Sequence, residues 1–158
     1  MTSYIHKNKL ILLVKAMEVQ SFSLAQILSN KKFCDFFEEY LESRSTGENI
    51  TLWKSIENFK QIENSHLRTA NAKTIIEKFF RRSSSSTLKI SDDIKKQQIS
   101  IYECLSMPPS PDLFQITQNS LKSFLQAQCR EFKKTKIYKH FIKRIWREGF
   151  RKAFTHFI

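Results

Sequence analysis

Apolar residues recur three and four positions apart over long stretches of the chain, the period of a helix that buries one face. That spacing predicts helices over 5–19, 23–29, 31–43, 48–62, 66–82, 92–105 and 112–128, with one or two more covering 130–157. Ser23 reads as the N-cap of the short second helix, and Ser91, followed by Asp92 and Asp93, places a cap and negative charge at the start of a later one. Pro108, Pro109 and Pro111 break the chain after Cys104, and Asp112 opens the next helix. In TGENITLWKSIENF, Thr46 to Phe59, Thr46 and Gly47 allow a tight turn, and Glu48 falls where a helix start leaves amide groups unpaired. Leu52, Ile56 and Phe59 then share one face, with Trp53 extending it inward. This helix is anchored by its core side, so Thr46, Glu48 and Asn49 are expected at a rigid, exposed tip.

Composition sharpens the picture. With 158 residues, 41 % of them hydrophobic, the chain has the size and apolar content of one folded unit, expected to span 1–158. Only 2 glycines and 3 prolines leave little turn chemistry for hairpins, which makes the fold class all-α. Neither a Walker-type loop nor a GxGxxG stretch can be assembled from Gly47 and Gly149, so no nucleotide cofactor is expected. Cys34, Cys104 and Cys129 are far apart and form no CxxC pair, and His6, His66, His140 and His156 supply no metal-ligand spacing. Reduced, mostly buried thiols and no metal are the expectation. Glu38, Glu39 and Glu42 have the spacing of a solvated helix face rather than of acid/base catalysis, and no catalytic site of the chain's own is expected. The apolar run Leu10 to Val14 is too short for an export or spanning segment, which predicts a soluble protein.

The order of several landmarks resembles the regulator of G-protein signalling (RGS) homology domain. They are SLAQILSN opening a short helix, Phe37 and Leu41 before a turn, GENITLW, then IENF, and Ile75, Ile76 and Phe79 in the next helix. LFQITQNSLKSFL, Leu113 to Leu125, is similar to the family's F-x-x-A-Q element with Thr117 in place of the alanine, and FKKTKIYKHF, Phe132 to Phe141, resembles the segment closing the core. The resemblance covers about residues 10–141. It implies about nine helices, an antiparallel four-helix bundle plus a terminal-helix subdomain.

It also implies a function. Many members of the family accelerate GTP hydrolysis by a heterotrimeric G-protein α subunit, gripping its switch loops in transition-state geometry and supplying no catalytic residue themselves. Three loops make the family's contact face. In the first, Glu48 and Asn49 match, and Thr46 stands where serine is usual; Asn49 offers both donor and acceptor. In the second, Lys89 occupies a place often taken by Asn or Ser, and a lysine has no acceptor; a shift in alignment brings Thr87 or Ser91 there instead. In the third, QAQCREF is one residue shorter than the family's D-S-Y element, with Phe124 for a leucine, Gln128 for the aspartate and Arg130 for the arginine. The charge of that loop has changed sign, so the resemblance leaves two readings open: a GTPase-accelerating regulator, or an interaction module on the same scaffold without that activity.

Charge adds a second theme. Of the net +12, residues 1–79 hold 11 basic against 9 acidic side chains and residues 80–158 hold 16 against 6. Ile137, Phe141, Ile145, Trp146, Phe150, Phe154 and Phe157 alternate with Lys143, Arg144, Arg147, Arg151 and Lys152, which makes 142–158 a basic amphipathic helix. Its apolar stripe is expected either to pack beside Leu10, Leu13 and Val14 or to leave the cationic face, with Trp146 among it, to an anionic lipid surface. A calmodulin-type partner is a further alternative, and nucleic acid is not expected, for want of a reading motif. The implied location is cytoplasmic, with a peripheral position at the inner face of the plasma membrane under the lipid reading. RRSSSST, Arg81 to Thr87, reads as a solvated connection that also places arginines ahead of Ser83 to Ser86 as basophilic kinases require.

Overall fold

The computed structural model describes residues 22–81 and 87–144. Within them every regular element is helical: α1 (Leu24–Ser29), α2 (Lys31–Ser43), α3 (Glu48–Lys60), α4 (Ser65–Ile75, continued by a π-helical turn Ile76–Arg81), α5 (Asp92–Glu103), α6 (Gln115–Lys134) and α7 (136–144). The two further helices of the expected nine, over 5–19 and beyond 144, lie outside the described residues.

Helix starts follow local chemistry. Ser23 and Gln26 form a reciprocal capping box, the Ser23 hydroxyl accepting from Gln26 N at 3.2 Å and Gln26 Oε1 from Ser23 N at 2.7 Å. Asn30, Asn64 and Ser91 cap α2, α4 and α5 by accepting from Phe33 N, Leu67 N and Ile94 N. Asp112, expected to open α6, instead sits in a turn that accepts Gln115 N at 2.9 Å, and the helix starts at Gln115.

Two apolar cores meet along the chain. Leu52, Ile56 and Phe59 of α3 pack with Ile75, Ile76, Phe79 and Phe80 of α4, with Leu88, Ile90 and Phe114, and with Leu121 of α6. This core binds α3 to α6 into the four-helix bundle; α3 and α4, joined by a connection of four residues over 61–64, run as antiparallel neighbours. The second core joins Ile27 of α1, Phe33, Phe37, Tyr40 and Leu41 of α2, Ile50 of α3, Leu125, Cys129 and Phe132 of α6, and Phe141 of α7. Each fully buried Phe or Ile here contributes about 1.5–3 kcal/mol from surface removed from water. Trp53 packs against both cores. Helices α3 and α6 therefore run through bundle and terminal subdomain alike.

The bundle also explains the departure at Thr117. This side chain is fully buried, and its hydroxyl donates to Gln98 Oε1 at 2.9 Å while Gln98 Nε2 donates to the Leu113 carbonyl at 3.0 Å. A threonine where alanine is usual is accommodated because a buried glutamine faces it and both are hydrogen-bonded. Glu38, expected on a solvated face, is half-buried and paired with Lys54 of α3 at 2.6 Å, tying α2 to α3.

Candidate functional site

The turn between α2 and α3 is tightly built. The Leu41 carbonyl accepts from Arg44 N, Thr46 N and Thr46 Oγ1 at 3.2, 2.9 and 3.1 Å, and Ser45 takes the left-handed φ of 56° that the reversal needs. Gly47, expected to make the tight turn, has an ordinary helical φ of −59°. Its lack of a side chain answers a different need: a Cβ there would lie 2.8 Å from Glu42 Cγ, so glycine lets α3 start against the end of α2.

Asn49 is the keystone of this corner. Its Nδ2 donates to the Thr46 and Thr87 carbonyls, both at 2.8 Å, and its Oδ1 accepts from Lys89 N at 2.7 Å. Beside it Thr87 Oγ1 donates to Glu48 Oε2 at 2.6 Å. One amide thus locks the α2–α3 turn to the segment entering α5, whose Leu88 and Ile90 are held in the bundle core. Asn49 is consequently buried, at 0 % exposure, whereas the sequence placed it on an exposed tip. The physical reason is that an amide carrying both donors and an acceptor can pair the Thr87 carbonyl and the Lys89 N–H at once, which an exposed tip would not require.

Thr46, Glu48, Asn49 and Lys89 are brought together, Thr46 and Glu48 half-buried and the Lys89 side chain exposed. Thr87, an alternative to Lys89 in the sequence, supplies the side-chain and carbonyl contacts, while Lys89 contributes its backbone N–H; Ser91 caps α5. The roles of the Leu41 carbonyl and Ser45 were not anticipated, since a carbonyl acceptor and a left-handed serine leave no mark in the sequence.

The third expected loop is not a loop. Phe124, Gln128 and Arg130 all lie inside α6, which runs without a break from Gln115 to Lys134. Leu121, Leu125, Cys129 and Phe132 keep one buried stripe at three- and four-residue spacing through that stretch, and the missing residue removes the reason to interrupt it. Phe124 is half-buried against the terminal core, Gln128 is half-buried with Oε1 enclosed and without a hydrogen-bond partner among the described residues, and Arg130 is exposed. Ile50, the residue after Asn49, shares that core with Leu125 and Cys129, which sets this part of α6 behind the first corner. Burial raises the Cys129 thiol above its ordinary value, as it does Cys34; Cys104 is exposed.

Lys143 and Arg144 stand exposed at the end of α7, and Trp146, Arg147, Arg151 and Lys152 lie outside the described residues. Phe141 packs on Phe33 and Phe36 at 4.6 and 4.3 Å between ring centroids, while Ile137 of the same expected stripe is exposed; Leu10, Leu13, Val14 and the stripe from Ile145 onward lie outside the described residues. Among the described residues no side-chain group has the makings of a metal site, and no helix is long and apolar enough to cross a membrane.

The described helices form a bundle with a terminal subdomain and a braced acidic-and-amide corner at the head of one bundle helix. A family model for the regulator of G protein signaling domain matches residues 23–141, and the chain belongs to that family. No curated protein matches it at a significant level. Membership connects it with the regulation of G-protein signalling, and the family implies G-protein α subunits as the class of partner.

Proposed function

We propose that the chain binds the switch regions of an α subunit in its GTP or transition-state form and accelerates that subunit's GTP hydrolysis. The observation that carries this reading is the hydrogen-bonded corner of Thr46, Glu48, Asn49, Thr87 and Lys89. Its backbone is fixed before any partner arrives, so binding loses little ordering entropy and the contact favours one geometry of a mobile loop. Acceleration follows if that geometry is the transition state's, since an interaction stronger there than in the ground state lowers the barrier. The hydrolysing groups belong to the α subunit; Asn49 acts as a positioning residue that holds Thr46 and Thr87, and Glu48 and Lys89 are the side chains at the partner's edge.

The unbroken α6 favours a second reading, an interaction module on the same scaffold without GTPase acceleration. The neutral Gln128, inside an unbroken helix, stands where the resemblance pairs it with an aspartate, and part of the usual contact is then absent. Single-turnover GTP hydrolysis and binding, measured against a panel of α subunits in resting and fluoroaluminate-activated forms, separate the two. Faster hydrolysis with binding selective for the activated form supports acceleration; tight binding without faster hydrolysis supports the module; no binding to any subunit overturns both.

A further inference from the structure

Helix α7 carries a surface that the G-protein contact does not use. Its inward face is Tyr138, Phe141 and Ile142, packed on the terminal core. The ring of Phe141 meets Phe33 edge-on at 80°, which fixes the helix's rotation about its axis. Lys139, His140 and Lys143 stand three, four and seven residues after Lys136, and all are exposed, so they form one outward stripe. Arg144 and Ile137, which is 41 % exposed, flank it seven residues apart.

The preceding end of α6 adds Arg130 and Lys134, also exposed. Glu131 is the one acidic side chain in residues 130–144, and it is engaged by Lys134 at 2.7 Å, which holds its carboxyl below the usual value. Arg44 lies over the Tyr40 ring at 5.6 Å, and Tyr40 packs on Phe132, the residue after Glu131, at 5.2 Å between centroids, so this face extends toward the α2–α3 turn.

We propose that the α6–α7 face of this chain docks on an anionic lipid surface. A continuous stripe of long cationic side chains with an exposed isoleucine at its edge matches acidic headgroups above an apolar layer, the lysine stems reaching the headgroups while Ile137 enters the interface. The stripe is rigid, because the aromatic contacts of Phe141 hold it, and it lies next to the corner proposed to meet the α subunit. Docking there would present that corner along the plane of the membrane. Nucleic acid is disfavoured, since one short convex stripe offers no groove or stacking platform.

The test uses the full chain and sedimentation with phosphatidylcholine vesicles, with and without about one third phosphatidylserine, at moderate salt; the phosphatidylserine fraction carries the negative surface charge. Binding is expected on the acidic vesicles alone and should weaken as salt rises. Each basic side chain near such a surface changes partitioning about fivefold, so Lys136→Ala, Lys139→Ala and Lys143→Ala together should lower it on the order of a hundredfold. Lys95→Ala with Lys96→Ala on α5, outside the proposed face, should leave it within about twofold. Equal partitioning to both vesicle types, or full binding by the triple variant, overturns the proposal. Binding to a DNA duplex that the triple variant loses, with vesicle binding unchanged, overturns it as well. No α subunit is present, so failure here leaves the proposed GTPase regulation standing.

Discussion

Replacing Asn49 by alanine removes three hydrogen bonds at once, and the structure assigns each loss a consequence. The Thr46 carbonyl keeps a donor, the Asn49 backbone N–H at 3.2 Å. The Thr87 carbonyl and the Lys89 N–H lose the Asn49 amide as their partner. Leaving a buried group unsatisfied costs about 1–3 kcal/mol. Thr87 is half-buried and the Lys89 side chain is exposed, so water reaches part of the gap, and the net loss should be about 2–3 kcal/mol. For a chain of this size that corresponds to a melting temperature lower by about 4–12 °C. Circular dichroism melts of wild type and variant measure it, and single-turnover hydrolysis at a temperature where both are folded measures the functional part. Acceleration should fall by more than tenfold, because the corner loses its brace. Asn49→Asp provides a sharper comparison: similar in shape, it turns a second acceptor toward the Thr46 and Thr87 carbonyls and should be at least as damaging as alanine. An alanine variant that melts within about 1 °C of wild type would refute the brace.

Other outcomes follow from the same contacts. Thr117→Ala should cost about 1–3 kcal/mol in urea unfolding by leaving Gln98 Oε1 unpaired. Thr87→Val, which removes the hydroxyl held by Glu48, should cost about 1 kcal/mol and reduce acceleration, whereas Ser91→Ala should affect stability alone through the lost cap of α5. Burial raises the thiols of Cys34 and Cys129 from an ordinary value of 9.0, so their contribution to stability is fully present below about pH 9. It is lost as pH rises through the raised folded values, and urea midpoints at pH 7 and pH 10 should show the decline. In native protein a thiol reagent should modify Cys104 well before either of the others.

Much of this fold is legible in the sequence because its determinants are local. Ser23 and Ser91 cap the helices they were expected to cap, and Leu52, Ile56 and Phe59 are buried on the one face of α3 that their spacing predicts. Where reading failed, distance along the chain was the cause. The burial of Asn49 is decided by Thr87 and Lys89, 38 and 40 residues later, and no pattern around Glu48 contains that information. The run through Gln128 and Arg130 is a different lesson: its helical periodicity was present in Leu121, Leu125, Cys129 and Phe132, and similarity to a looped family element overrode it. The identities of Thr46, Glu48 and Lys89 as neighbours were readable; their division between brace and contact was not.

Because α3 and α6 each contribute to both apolar cores, neither core is encoded by a contiguous half of the chain. Severing the polypeptide between Arg81 and Thr87 would give one piece with α1 to α4 and another with α5 to α7, each holding an unfinished interior. Such pieces should stay unfolded apart and regain helicity only on mixing. That dependence makes the domain a natural two-part complementation reporter, with Trp53 at the seam signalling reassembly through its fluorescence.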